Sequence, residues 1–169
     1  MVNKLNKKEG GRVAIKVDIS QAYDTMSWDF LQAVMDRFGF SQRWINMIMA
    51  ILKFVKLSIL VNGGPEGFIS MERGLRQGDP LSPLLFALAE DSLSRGLNKL
   101  WDLGLAAPFT KAKGVPCPSH LLYVEDVFIF SSGDGNNIRN IVRLLERYQS
   151  SSGQITNKDK SKLLAGGMH

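Results

Sequence analysis

Three acidic side chains lie where a chain would put them to hold cations. Tyr123-Val124-Glu125-Asp126 sits between two apolar runs, Leu121-Leu122 and Val127-Phe128-Ile129-Phe130. Two acids flanked by β-formers read as strand, turn and strand, with carboxylates at the tip. Adjacent carboxylates repel, so both stay ionised only when solvated or bound to cations. Far upstream, Asp18 ends a similar run, Val13-Ala14-Ile15-Lys16-Val17. Acids at strand ends offer the oxygen ligands that a hard divalent ion takes, and metal-assisted phosphoryl transfer is chemistry such a set can perform.

For these acids to meet, two strands distant in sequence must pair, and the rest of the pattern supplies a scaffold for that. Arg12–Val17 reads as a strand ending near Asp18. Gln21–Ser27 reads as a turn and helix start, with Asp24, Thr25 or Ser27 as the N-cap. Trp28, Leu31, Val34, Met35 and Phe38 recur at helical spacing up to Gly39. Ser41 caps a second helix bearing Trp44, Ile45, Ile48, Ile51 and Leu52. Lys56–Val61 and Phe68–Met71 read as strands around the hairpin signal Asn62-Gly63-Gly64. After a polar loop, Arg73–Asp79, Ser82 is the expected N-cap and Pro83 suits the first turn of a long apolar helix, Leu84–Leu103. Residues 105–118 read as irregular, with room for a short strand. His120–Ser131 is the acidic hairpin, Asn137–Ser150 an amphipathic helix, and Gly153–Leu164 a turn and strand. The order β-α-α-β-β-α-β-β-α-β predicts an α+β fold, an antiparallel sheet with helices packed on one face.

Composition sets the class without naming the chemistry. The chain has 169 residues, 44% hydrophobic and 22% charged, which suffices for one domain with its own core. A net charge of +5 leans toward polyanionic partners. The lysines and arginines gather near the ends (Lys4, Lys7, Lys8, Arg12 and Lys16; Lys158, Lys160 and Lys162), where solvated surface is as good a reading as phosphate binding. The single Cys117 excludes an internal disulfide, and with His120 it offers too few ligands for a structural zinc site. No run is long enough to span a membrane and no secretory signal is visible.

Four blocks together resemble a known family. They are Lys16–Asp24 followed by Trp28, Gly74–Phe86 with Arg76-Gln77-Gly78-Asp79-Pro80 at its centre, His120–Asp126, and Ser152–Asn157 with Lys160-Ser161. In this order they resemble the palm of a reverse transcriptase, most nearly that of the plant-type non-LTR retrotransposons (long interspersed elements). The resemblance runs from about Arg12 to Leu164. It implies a polymerase palm and template-directed DNA synthesis, with an RNA template, a DNA primer and deoxynucleoside triphosphates as partners and two magnesium ions as cofactors. It implies that Asp18, Glu125 and Asp126 are the metal-binding catalytic acids. Lys160 then lies near the triphosphate, and Tyr23 is an aromatic gate that leaves no room for a 2′-hydroxyl. Arg76, Gln77 and Gly78 contact the nucleotide, with Gly74 and Gly78 admitting close backbone approach, while Asp79 acts as a local cap. Nuclear action would suit such an enzyme.

Two departures temper the implied activity. The family's third motif reads aromatic-Ala-Asp-Asp, and here Val124 and Glu125 replace the small residue and the first acid. Glutamate adds a methylene, and misplacement on the order of 1 Å costs about a hundredfold in rate. The sequence also reads as the palm alone over 1–169, with the fingers mostly absent and the thumb absent, which implies exposed apolar surface and poor solubility. The expectation is therefore a weak or inactive polymerase palm. The alternative is a noncatalytic nucleic-acid-binding or interaction module derived from a retrotransposon. Tyr23, where RNA-dependent RNA polymerases usually carry a second acid, argues against that class, and Arg76–Pro80 argues against a group II intron maturase.

Overall fold

The computed structural model describes residues 11–109 and 118–166; the expectations placed on Lys4, Lys7, Lys8 and Cys117 lie outside them. The elements follow the expected order: β1 (Arg12–Ser20), α1 (Trp28–Arg37), α2 (Gln42–Phe54), β2 (Lys56–Val61), β3 (Gly64–Ser70), α3 (Ser82–Asp102), β4 (His120–Tyr123), β5 (Asp126–Ser132), α4 (Gly135–Ser152) and β6 (Ile155–Gly166). Four strands form one antiparallel sheet in the order β4-β5-β1-β6.

Alternation along the two central strands decides which face is covered. Val17 and Ile19 of β1 and Val127 and Ile129 of β5 are buried together with Leu31, Met35, Leu85, Ala89, Leu93 and Ile141 of the helices, and Val13 of β1 is buried on the same face. The intervening residues, among them Lys16, Asp18, Asp126 and Phe128, share the opposite face. Helices α1, α3 and α4 pack on one another over the first face, and α2 packs on α1. Among the described residues, no helix is long and apolar enough to cross a membrane.

Several boundaries differ from the sequence reading, each for a local reason. β1 continues past Asp18 to Ser20 because its edge pairs with β6 as far as Ile155. Ser27 caps α1 by accepting from the Phe30 amide, which decides among the three candidates. At α3 the cap is not Ser82, which is buried as the first helical residue; the Asp79 carboxylate accepts from the Leu81 amide instead. Helix α4 begins at Gly135, two residues early, because Asp134 accepts from the Asn136 amide. β2 and β3 pair from Val61↔Gly64 outward around Asn62-Gly63, both with positive φ (52° and 84°) as a type I′ turn requires. This hairpin stands apart as its own sheet, with Leu60 72% and Phe68 75% exposed.

One polar contact inside the helical layer had no signal in the sequence. Glu90 of α3 is 5% exposed, and the Tyr148 hydroxyl of α4 donates to its Oε1 at 2.9 Å, while Oε2 has no partner. Burial lifts the Glu90 carboxyl from 4.5 to about 7, opposed in part by the Tyr148 hydrogen bond. The Tyr148 phenol is also raised, first by burial and then by Glu90. The folded state therefore holds the Glu90 proton more tightly than the unfolded chain does. Its contribution to stability is full below the unfolded value and is lost as pH rises through about 7. Glu90→Gln is expected to flatten the decline in unfolding free energy between about pH 4.5 and about pH 7, a change on the order of 3 kcal/mol. Urea unfolding across that range is the measurement; an unchanged slope in the variant contradicts it.

Candidate active site

The acids meet through strand register. β1 and β5 pair from Arg12↔Ser132 to Asp18↔Asp126 without a break. The Ile19 amide donates to the Glu125 carbonyl at 2.8 Å, which makes Asp18 and Asp126 a non-hydrogen-bonded pair, the kind whose side chains approach most closely. Asp18 is 9% exposed. Asp126 accepts an ion pair from Lys16 Nζ to Oδ2 at 2.7 Å, and its Oδ1 is buried with no hydrogen-bond partner. Glu125 takes a different position. It lies in the two-residue turn joining β4 to β5, beside Val124 at a φ of 50°, and it is exposed. The structure thus brings two of the three expected acids face to face and leaves the third at the tip. Among the described residues, no group of three or more His, Cys, Asp or Glu side chains is close enough to hold a metal ion.

On the other side of β1, the pairing with β6 jumps from Lys16↔Lys162 to Asp18↔Asn157, so residues 158–161 bulge out beside Asp18. Asn157 Oδ1 accepts from the amides of Asp159 and Lys160, and Ser161 Oγ donates to the Asn157 carbonyl and accepts from the Asp18 amide at 3.1 Å. Lys160 is carried on this bulge and is exposed.

The chain after β1 folds into a turn that two other motif blocks clamp. The Asp24 and Thr25 amides both donate to the Gln21 carbonyl, with Gln21 at a φ of 48°. From one side, the Gly74 amide donates to the Met26 carbonyl and the Leu75 amide to the Tyr23 carbonyl, at 2.8 and 2.7 Å, while Trp28 Nε1 donates to the Gly74 carbonyl. From the other, the Ser27 amide donates to the Ser152 carbonyl, and Gln154 Nε2 to the Ala22 carbonyl. A Cβ on Gly74 would lie 2.7 Å from the Asp24 carbonyl oxygen, and one on Gly153 2.8 Å from that of Thr25. Within the fold, the close backbone approach at Gly74 is to Asp24. Gly78 has a φ of 89° and open space around it; Arg76 and Gln77 beside it are exposed. Tyr23 is half-buried, its ring stacked on Phe86 of α3 at 4.7 Å and 12°.

The sequence reading weighed Lys16 only as a solvated or phosphate-binding lysine and gave Phe86 no role of its own. Lys16 gave a signal in its spacing, two residues before Asp18 on the same strand face, but its partner follows only from the β1–β5 register. Phe86 gave none beyond helical periodicity. His120 has both ring nitrogens engaged at 2.8 Å, Nε2 with Ser94 Oγ and Nδ1 with Ser119 Oγ, and burial lowers its pKa, so it is a satisfied ring in the fold.

The donor set suits a hard divalent cation. Magnesium is usually held by one or two carboxylates together with substrate phosphates and water. Asp18 and Asp126 supply two carboxylates across one strand pair, and Oδ1 of Asp126 is a buried acceptor with no hydrogen-bond partner.

Comparison with known proteins converges on one family. A family model described as reverse transcriptase (RNA-dependent DNA polymerase) matches residues 2–168. The chain is 31% identical over 112 residues to the retrovirus-related Pol polyprotein of the type-1 retrotransposable element R2 of Popillia japonica, a match spanning 66% of this chain and 18% of that protein. It is 39% identical over 70 residues to an uncharacterized mitochondrial protein of Arabidopsis thaliana, spanning 41% of this chain and 57% of that one. Among solved structures, an apo telomerase from Candida tropicalis superposes with a TM-score of 0.70 at 18% identity, covering 99% of this chain and 33% of that chain. The fold is thus a polymerase palm, and the chain spans less than a fifth of the R2 polyprotein it matches.

Gly74→Ala tests the clamp. The added methyl meets the Asp24 carbonyl, and the φ of 88° is strained for any side chain. The variant is expected to lose roughly 2–4 kcal/mol of unfolding free energy, whereas Gly78→Ala, with strain but no clash, is expected to lose about 1 kcal/mol. Chemical denaturation of both decides; equal losses contradict the clamp.

Proposed function

Since the chain belongs to the family of reverse transcriptases (RNA-dependent DNA polymerases), we propose that it is the palm that carries nucleotidyl transfer in an RNA-directed DNA polymerase of the non-LTR retrotransposon type, slowed by the glutamate at 125. The observation that carries this reading is the cross-strand pair Asp18–Asp126, with an unpartnered carboxylate oxygen, next to a turn gripped by the other motif blocks.

In this reading Asp18 and Asp126 hold divalent cations, magnesium by the family's habit, with Glu125 as the third acid. When bound, such ions lower the pKa of an attacking hydroxyl and neutralise charge on a triphosphate. The chain's own residues do the positioning. The sheet face away from the helical core carries Lys16, Asp18, Asp126 and Tyr123, where the end of a primer would lie. Tyr23, its ring held against Phe86, sits on the turn that follows Asp18 and has the rigidity that discrimination against a 2′-hydroxyl requires. Arg76, Gln77 and Gly78 form an exposed loop whose root is fixed to that same turn, so they move with the site and offer hydrogen bonds to an incoming deoxynucleotide. Lys160, on the bulge beside Asp18, brings a cation toward the triphosphate. RNA template and DNA primer are the proposed partners.

Extending Glu125 by one methylene costs rate because the carboxylate must be held to within a fraction of an ångström. Glu125→Asp is expected to raise incorporation about a hundredfold in primer extension on an RNA template with magnesium and deoxynucleotides. Asp18→Ala is expected to abolish it. Incorporation that survives Asp18→Ala contradicts the reading. Salt-dependent RNA binding without incorporation, even with Glu125→Asp, favours a noncatalytic nucleic-acid-binding module instead.

A further inference from the structure

Lys16 is placed by four constraints at once. It stands two residues before Asp18, so both side chains leave β1 on the same face. Its ammonium is 2.7 Å from Asp126 Oδ2, with the two side chains only 31% and 26% exposed. It also lies 5.6 Å from the centre of the Phe128 ring, the residue directly opposite it on β5. On its other side, Lys162 of β6 is its direct cross-strand partner, and like charges directly opposite repel. The ammonium is thus pushed from β6, drawn to Asp126 and supported by an aromatic face.

From this we infer that Lys16 is the resident counter-ion of the acid pair, occupying Asp126 until a divalent cation displaces it. The inference rests on the reading that Asp18 and Asp126 hold such a cation, and it goes further by assigning the group that sets their affinity. Without Lys16, two carboxylates would face each other across one strand pair, Asp18 nearly buried, and Asp126 would lose the ion pair that offsets their repulsion. With it, the sheet rim is neutralised when no metal is present. A divalent ion arriving at Asp126 meets an ammonium already hydrogen-bonded to that carboxylate, and the two cations repel strongly at such range. The ring of Phe128 gives the displaced ammonium a place to rest without leaving the site. Lys16 therefore trades metal affinity for integrity of the metal-free site, so that ions bind firmly only when a triphosphate brings further negative charge.

The test uses manganese as the probe, its free concentration read by electron paramagnetic resonance, on the full chain. Lys16→Met is expected to bind manganese roughly tenfold more tightly than the wild type, and Lys16→Arg, which keeps the charge, to bind as the wild type does. In EDTA, Lys16→Met is expected to melt at lower temperature than the wild type, and manganese is expected to raise its melting point by more. Lys16→Met binding manganese no more tightly than the wild type overturns the inference while leaving the acid-pair reading intact. Manganese binding that is absent, or unaltered by Asp18→Asn, overturns the acid-pair reading itself, and the counter-ion role with it.

Discussion

The structure depends on one strand pairing, β1 against β5, held without a register shift over seven residue pairs from Arg12↔Ser132 to Asp18↔Asp126. Side chains alternate along a strand, so this register does two things together. It puts Val17, Ile19, Val127 and Ile129 against the helical layer, and it sets Asp18 against Asp126 on the other face. A slip of one residue would expose the first set and bury the second. The apolar side of the sheet therefore enforces an arrangement that its polar side would not adopt unaided, because opposed carboxylates repel. Hydrophobic burial fixes the geometry, and Lys16 makes it tolerable.

Around that pair, the separate motif blocks turn out to be one mechanical unit. The turn Gln21–Ser27 accepts hydrogen bonds from the amides of residues 74–75 on one side and exchanges hydrogen bonds with the 152–154 segment on the other. Gly74 and Gly153 touch the backbone of Asp24 and Thr25, where any Cβ would clash. Tyr23, the loop that carries Arg76 and Gln77, and the strand that carries Asp18 thus share a single frame. A rigid frame of this kind suits chemistry in which the protein positions reactants and neutralises charge while reacting groups outside it exchange bonds.

How much of this was legible depends on whether the cause is local. Helix α1 announced itself through Trp28, Leu31, Val34 and Met35 with Ser27 before them, and the β2–β3 hairpin through Asn62-Gly63; both causes lie within a few residues. The element order and the antiparallel sheet followed from such signals. The Tyr148–Glu90 contact joins residues 58 apart inside the helical layer, and periodicity only says that both positions face inward. The bulge at 158–161 exists because Asn157 and Ser161 reorganise the backbone next to Asp18, which no alternation pattern foretells. Gly74 was noticed, but its contact with Asp24 was not, since a glycine's neighbour is set by tertiary structure. The three acids were read as a set; in the fold Asp18 and Asp126 are paired across two strands, while Glu125 occupies the exposed turn between β4 and β5, a difference that depends on the β1–β5 register and not on local sequence.

Cross-linking tests the opposed acids most directly. In a chain with Cys117→Ser, the pair Asp18→Cys and Asp126→Cys lies at a non-hydrogen-bonded position, within the Cα separation of roughly 4.4–6.8 Å that a disulfide needs. Mild oxidation is expected to close this disulfide readily in the folded protein, and much faster than one between Asp18→Cys and Phe128→Cys. Failure of the first pair to close, or faster closure of the second, would mean that β1 and β5 meet in another register, and the account of the site would fall with it.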